Sequence, residues 1–234
     1  MTVVVGIHQP NFFPWLGFFD KLARCDVFVL LDNVQFVKTG GVWTNRVKIL
    51  IQEEPRWLTA PIDRNYHGFR EIREMRFHQD SRWRNKILKT LEASYRRAPY
   101  YDEAIAMVAP VISNPDDNIA QYNETAIRTI SASIGIPQTK LLRASDLDSS
   151  GTSTELLISL TLGSGGQTYM CGGGADGYQD ESAFDRAGIS LLHQQFRHPL
   201  YLQHEQRKFA PGLSIIDALV NAGTTGVREL LGLS

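Results

Sequence analysis

The first thirty residues constrain this chain more than any other stretch. Val3 to Ile7 is a short β-branched run stopped by His8-Gln9-Pro10. A continuous apolar run of this kind fits a strand buried on both faces, as in a parallel sheet. Pro14 then opens a helix, because a proline is tolerated in the first turn. Leu16, Phe19, Leu22 and Ala23 recur at helical spacing up to Arg24. Val27 to Leu31 is the next buried strand, ending in Asp32-Asn33. A strand–helix–strand unit of about thirty residues is the usual size of a parallel crossover. Its right-handed connection lays the helix over one sheet face.

Downstream, Phe36 to Ile51 reads as extended, interrupted by a turning loop at Gly40-Gly41. Trp57 to Ile62 reads as a strand, and Ile72 to Phe77 as one more. Three helices follow: Ser81 to Tyr95, Tyr101 to Ile112, and Asn118 to Ile134, the last closed by Gly135-Ile136-Pro137. Thr139 to Arg143 is a short strand, Thr154 to Leu162 a helix, and Thr168 to Cys171 a strand running into Gly172-Gly173-Gly174. Ala183 to Ala187 is a short helix, Ile189 to Leu192 a strand, Leu213 to Ala222 a helix, and Thr225 to Leu231 a helical tail. The order is β-α-β, then a helix-rich middle, then β-α-β again. The expected fold is therefore α/β, a Rossmann-like, mostly parallel sheet. Residues 1–80 and 135–234 form its core, and 81–134 is a helical insertion within the same domain.

Composition narrows the function classes. In 234 residues the net charge is −1 with both signs scattered, so no basic excess points to nucleic acid. The longest apolar runs are far shorter than a membrane span, and Met1 to Gly6 lacks a basic leader, so the chain reads as cytoplasmic with no membrane partner. Two cysteines, Cys25 and Cys171, imply no disulfide framework. His193, His198 and His204 are five and six apart, which is not the spacing of common zinc sites, so no metal is expected there. Neither a Gly-x-Ser-x-Gly elbow nor a Cys-x-x-Cys pair occurs.

The candidate site follows from the topology. In open α/β sheets ligands bind beyond the carboxyl ends of the strands. His8, Gln9 and Asn11 belong there, beside a helix N-terminus suited to an anion. Histidine serves acid–base work near neutral pH. Asp32 ends the second strand at the same edge. Arg46 and Lys48 share one strand face, and with Trp43 and Asn45 suggest an anionic small-molecule ligand. Tyr169 leads into Gly172, Gly173 and Gly174, which permit close backbone approach to a ligand but match neither a Walker loop nor the dinucleotide fingerprint. Cys171, without a base in view, reads as a buried structural thiol. His198, Tyr201 and Gln203 are candidates for positioning substrate.

Several segments together resemble the WbqC-like family: His8-Gln9-Pro10-Asn11-Phe12-Phe13-Pro14-Trp15-Leu16-Gly17, Asp26 to Phe36, Asn45-Arg46-Val47-Lys48-Ile49, Trp57 to Pro61, Tyr169 to Gly173, Phe196 to Gln203 and Leu213 to Gly223. The resemblance implies aminoacyl (glycine-type) or acyl transfer to a nucleotide-linked sugar in surface-polysaccharide biosynthesis. In such a transferase His8 serves as acid/base or phosphate ligand, Asp32 orients the amine or hydroxyl nucleophile, and Trp15 or Trp43 stacks on a base or sugar. Phe13 to Val29 is also similar to the opening of nucleotidylyltransferase-like folds. Their His-x-x-His signature is replaced here by Pro14-Trp15-Leu16-Gly17, leaving only His8, so an ATP cofactor is implied without a complete motif. A non-catalytic sugar-nucleotide binder and a nucleotidyltransferase are the alternatives.

Overall fold

A computed structural model of the chain describes residues 2–37, 43–137, 141–172, 180–204 and 208–233. The expected turn at Gly40-Gly41, the first residues of the strand expected from Thr139, and Gly173-Gly174 lie outside the described residues.

β1 (Val4–His8), α1 (Leu16–Arg24) and β2 (Val27–Leu30) form the unit expected at the N-terminus, with Val5 opposite Val27 in parallel register. β5 (Leu141–Arg143), β6 (Thr168–Cys171) and β7 (Ser190–His193) join them in a five-stranded parallel sheet ordered β5-β2-β1-β6-β7. Parallel neighbours require long crossovers. α5 (Thr154–Gly163) links β5 to β6, and α6 (Glu181–Arg186) links β6 to β7.

Side chains alternate across each strand, so the sheet feeds two separate layers. Val5, Ile7, Val29 and Tyr169 pack with Leu160 of α5 and Phe184 of α6. On the other face Phe28 and Met170 pack with Phe18, Phe19 and Leu22 of α1. α1 comes close because Gly6 has no side chain. A Cβ there would lie 2.6 Å from the Cys25 sulfur and 2.9 Å from the Phe28 ring. The same buried cluster extends through Trp83 and Leu91 of α2 (Arg82–Tyr95), Val108 of α3 (Tyr101–Ile112), Ile127 of α4 (Ile119–Ser133) and Leu219 of α7 (Ile215–Leu230). The helix-rich middle thus packs on the α1 side of the sheet.

Two local expectations are revised and a third is refined. The extended stretch before Ile51 is, where described, a strand only from Arg46: β3 (Arg46–Ile51) pairs antiparallel with β4 (Glu54–Thr59) in a separate two-stranded hairpin. Its turn places Gln52 and Glu53 at φ 53 and 60. Such turns usually carry Asn or Gly, so this one had no sequence signal. Residues Ile72–Glu74 form a 3-10 turn, not a strand, because Glu71 and Glu74 cap each other's backbone. The two C-terminal helices expected from the sequence follow one another through α7, separated by the non-helical backbone of Gly223 (φ 68, ψ 177), where the Tyr100 ring occupies the space of a Cβ.

Candidate functional site

The chain leaves β1 through α1 toward β2, but reaches β6 through α5 from the opposite side. β1 and β6 are therefore neighbours whose connections diverge, and the space beyond their carboxyl ends is where the general rule for open α/β sheets places a ligand crevice. Their ladder runs from Val4↔Thr168 to Gly6↔Met170. The residues just past it are His8 and Gln9 on one side and Cys171 and Gly172 on the other. Two of the segments singled out in the sequence thus meet at the sheet's switch point.

The residue that sequence reading missed is Lys21. It lies on α1 but is 3% exposed, and its Nζ donates a 2.8 Å hydrogen bond to the Ile7 carbonyl at the end of β1. The same ammonium stands 5.6 Å from the Tyr169 ring of β6. It therefore bridges β1 and β6 near their carboxyl ends. Among the described residues no carboxylate pairs with it. Burial pushes its pKa down to about 8, partly offset by the thiols of Cys25 and Cys171. At neutral pH this remains a largely protonated, buried cation, a costly arrangement when no anion answers it.

His8 sits beside it. Its Nδ1 faces the Gln9 carbonyl at 3.0 Å, and a carbonyl can only accept, so Nδ1 carries the proton and Nε2 presents a lone pair. Burial and the Lys21 charge lower the His8 pKa to about 4, against the opposing Gln9 carbonyl. The ring is held edge-on to Phe18 at 5.0 Å. The crevice so pairs a neutral imidazole with a buried ammonium.

The loop between β1 and α1 is clamped from above. Asn123 of α4 donates from Nδ2 to the carbonyls of Pro10 and Thr44, and Phe12 N–H donates to the Trp43 carbonyl. Phe13 adopts φ 41, uncommon for a bulky residue, with Ser214 Oγ donating to its carbonyl and Ile215 N–H to that of Pro14. Asn11 and Asn45 are buried, and Asn45 Nδ2 donates to the Ala60 carbonyl. Trp15 precedes α1, offers no side-chain cap, and packs edge-on to Phe196 and flat on His198. His198 Nδ1 faces the Pro199 carbonyl, and its Nε2 is buried without a partner among the described residues. Gln194 secures the far side, donating from Nε2 to the Gly17 carbonyl and to Asp20.

Other candidates are engaged elsewhere. Asp32 accepts from Ser145 N–H at 2.9 Å and Ser145 Oγ at 2.7 Å, which ties β2 to the turn after β5. Arg46 and Lys48 do share a face, but they lie over Trp57 on the hairpin, at 4.4 and 5.4 Å, with Trp43 edge-on to the same indole. That face borders a groove of about 810 Å³ lined by Trp57, Pro61, His78, Trp83 and Lys86. Tyr201 and Gln203 both donate to Asp217, as does Tyr95 from α2. This buried carboxyl is raised above its ordinary range by desolvation, despite three donors. The network fastens the segment before α7 to the helical layer. Asp217 itself sat unnoticed in an apolar helix.

No described helix is long and apolar enough to cross a membrane. The model of the WbqC-like protein family matches residues 9–229. The chain is also similar to the uncharacterized protein Rv1507c of Mycobacterium tuberculosis (strain ATCC 25618 / H37Rv). The two are 29% identical over 222 residues, covering 94% of each chain. No solved structure matches.

Proposed function

Because the chain belongs to the WbqC-like protein family, we propose that its switch-point crevice serves a transferase. In this reading it joins an amino acid or small acid to a nucleotide-linked sugar through an amide or ester. The observation that carries the reading is the buried Lys21 ammonium between β1 and β6, with no carboxylate against it among the described residues. A diphosphate or carboxylate entering the crevice supplies the missing counter-charge, and in a water-poor site that attraction is strong.

His8 is the group placed to move a proton. Its Nε2 lone pair can take one from the incoming amine or hydroxyl. Free, it is too weak a base, with a pKa near 4, held down first by burial and then by the Lys21 charge beside it. An anion bound to Lys21 screens that charge and so removes one of the two causes that hold the His8 pKa down. Trp15, stacked on His198, offers an aromatic wall to a base or sugar ring.

The test is a transfer assay. The protein is incubated with a nucleotide-linked amino sugar and an acyl-phosphate or aminoacyl-adenylate donor, and products are read by mass spectrometry. The expected result is an acylated nucleotide sugar whose formation drops at least a hundredfold in His8→Ala. Binding of the nucleotide sugar without product in any donor combination, or turnover unchanged in His8→Ala, contradicts the proposal.

A further inference from the structure

Cys171 lacked a base in the sequence; the fold supplies one. β6 and β7 are parallel neighbours with Cys171 directly opposite His193. Register partners in adjacent strands project to the same face. The Cys171 sulfur lies 3.3 Å from His193 Nδ1 and 3.6 Å from the Leu192 carbonyl. On the other side of the imidazole, Glu181 Oε1 stands 4.0 Å from Nε2. The thiol is withdrawn from bulk water, at 1% exposure, while the imidazole keeps 47% of its side chain open. Cys171 is the last residue of β6, at the carboxyl edge of the sheet, and Gly172 follows it. The thiol and imidazole are within hydrogen-bond distance, and the exposed Glu181 carboxylate stands at ion-pair distance beyond, a nucleophile and base with an acid near enough to orient the base.

Cys25 gives the contrast. It is buried against Met170, 3.9 Å from its sulfur, and burial pushes its thiol up to about 12. The charge of Lys21 acts on both thiols, but a histidine faces only Cys171 among the described residues.

We propose that Cys171 is the acyl-accepting nucleophile of the crevice, with His193 as its base and Glu181 as the residue that orients His193. The assignment rests on the acyl-transfer reading above. The Cys171 S–H proton passes to His193 Nδ1. The thiolate attacks the carbonyl carbon of an acyl donor whose leaving group is a phosphate anion. The carbonyl-carbon-to-oxygen bond breaks, and phosphate departs with the electron pair, leaving a thioester on Cys171. The acceptor amine then attacks the thioester carbon. The amide forms as the C–S bond breaks, the thiolate recovers its proton from His193, and the amine's surplus proton passes to His8 or solvent.

The experiment uses the full chain and needs no sugar substrate. Native protein is treated with iodoacetamide between pH 5 and 9, and labelling of Cys171 and Cys25 is followed by peptide mass spectrometry. Cys171 is expected to label at least tenfold faster than Cys25. His193→Ala should slow Cys171 labelling at least tenfold at pH 6.5, and Glu181→Gln should slow it less. Acetyl phosphate should leave a hydroxylamine-labile acetyl group on Cys171 alone. Equal slow labelling of both cysteines, or a His193→Ala protein that is folded by circular dichroism and labels like the parent, overturns the assignment. Calorimetry with a nucleoside diphosphate sugar, run on the same samples and on Cys171→Ser, separates the two readings. Binding with an unreactive Cys171 refutes the nucleophile and spares the nucleotide-sugar site. A reactive, acetylated Cys171 without binding upholds the nucleophile and removes the acceptor.

Discussion

Replacing Lys21 with methionine should make this protein more stable at neutral pH. The ammonium is 3% exposed, and burial lowers its pKa from 10.5 to about 8. At about 1.4 kcal/mol per pH unit, that lowering corresponds to about 3 kcal/mol of folding stability forgone whenever Lys21 is charged. Methionine fills nearly the same volume and carries no charge, so it removes the penalty. It also removes the 2.8 Å hydrogen bond to the Ile7 carbonyl, a loss of about 1 kcal/mol. The net expectation is a gain of about 2 kcal/mol at pH 7. The sign with pH follows from linkage. Between about 8 and 10.5 the unfolded lysine holds a proton that the folded one has released, so the parent gains stability as pH rises through that window. The advantage of Lys21→Met should therefore shrink from pH 8 toward pH 10. Urea denaturation followed by tryptophan fluorescence at pH 7, 8.5 and 9.5 reads both effects. If Lys21→Met is less stable than the parent at pH 7, the fold itself compensates the buried charge, and the argument that a ligand must answer it collapses.

Three further outcomes follow from the same geometry. His8, with a pKa near 4 when folded and 6.5 when not, should cost the protein about 3 kcal/mol as pH falls from 6.5 to 4; His8→Gln should flatten that part of the stability profile, measured by urea midpoints. Gly6→Ala drives a Cβ to 2.6 Å from the Cys25 sulfur and should destabilise by about 2 kcal/mol in thermal melts, a loss partly recovered by adding Cys25→Ala. Asp217→Ala strands the donors of Tyr95, Tyr201 and Gln203 and should cost about 3 kcal/mol or more, whereas Tyr201→Phe should cost about 1 kcal/mol in the same denaturation assay.

Much of the architecture was legible because it is local. The β-branched run before His8, the spacing of Leu16, Phe19 and Leu22, and the run before Asp32 specify a crossover whatever the rest of the chain does. The hairpin was hidden because Gln52 and Glu53 take left-handed backbone without a glycine or asparagine to announce it. Lys21 looked like an ordinary helix lysine. The one hint was its place four residues after Gly17 and four before Cys25, on a face that is otherwise apolar or small. The Cys171–His193 contact depends on strand register across 22 residues, which local pattern does not encode. Asp32, Tyr201 and Gln203 were read from their position and polarity, yet their partners are Ser145 and Asp217, residues set beside them only by tertiary packing.

On the proposed reading the Lys21 ammonium, between β1 and β6, holds the anionic part of a ligand. Isothermal titration calorimetry with a nucleoside diphosphate sugar, and with inorganic pyrophosphate, into parent and Lys21→Met protein tests it most directly. Both titrants should bind the parent, and both should bind Lys21→Met at least tenfold more weakly while that variant remains folded. Equal affinities for parent and variant would place the anion elsewhere and remove Lys21 from the ligand site.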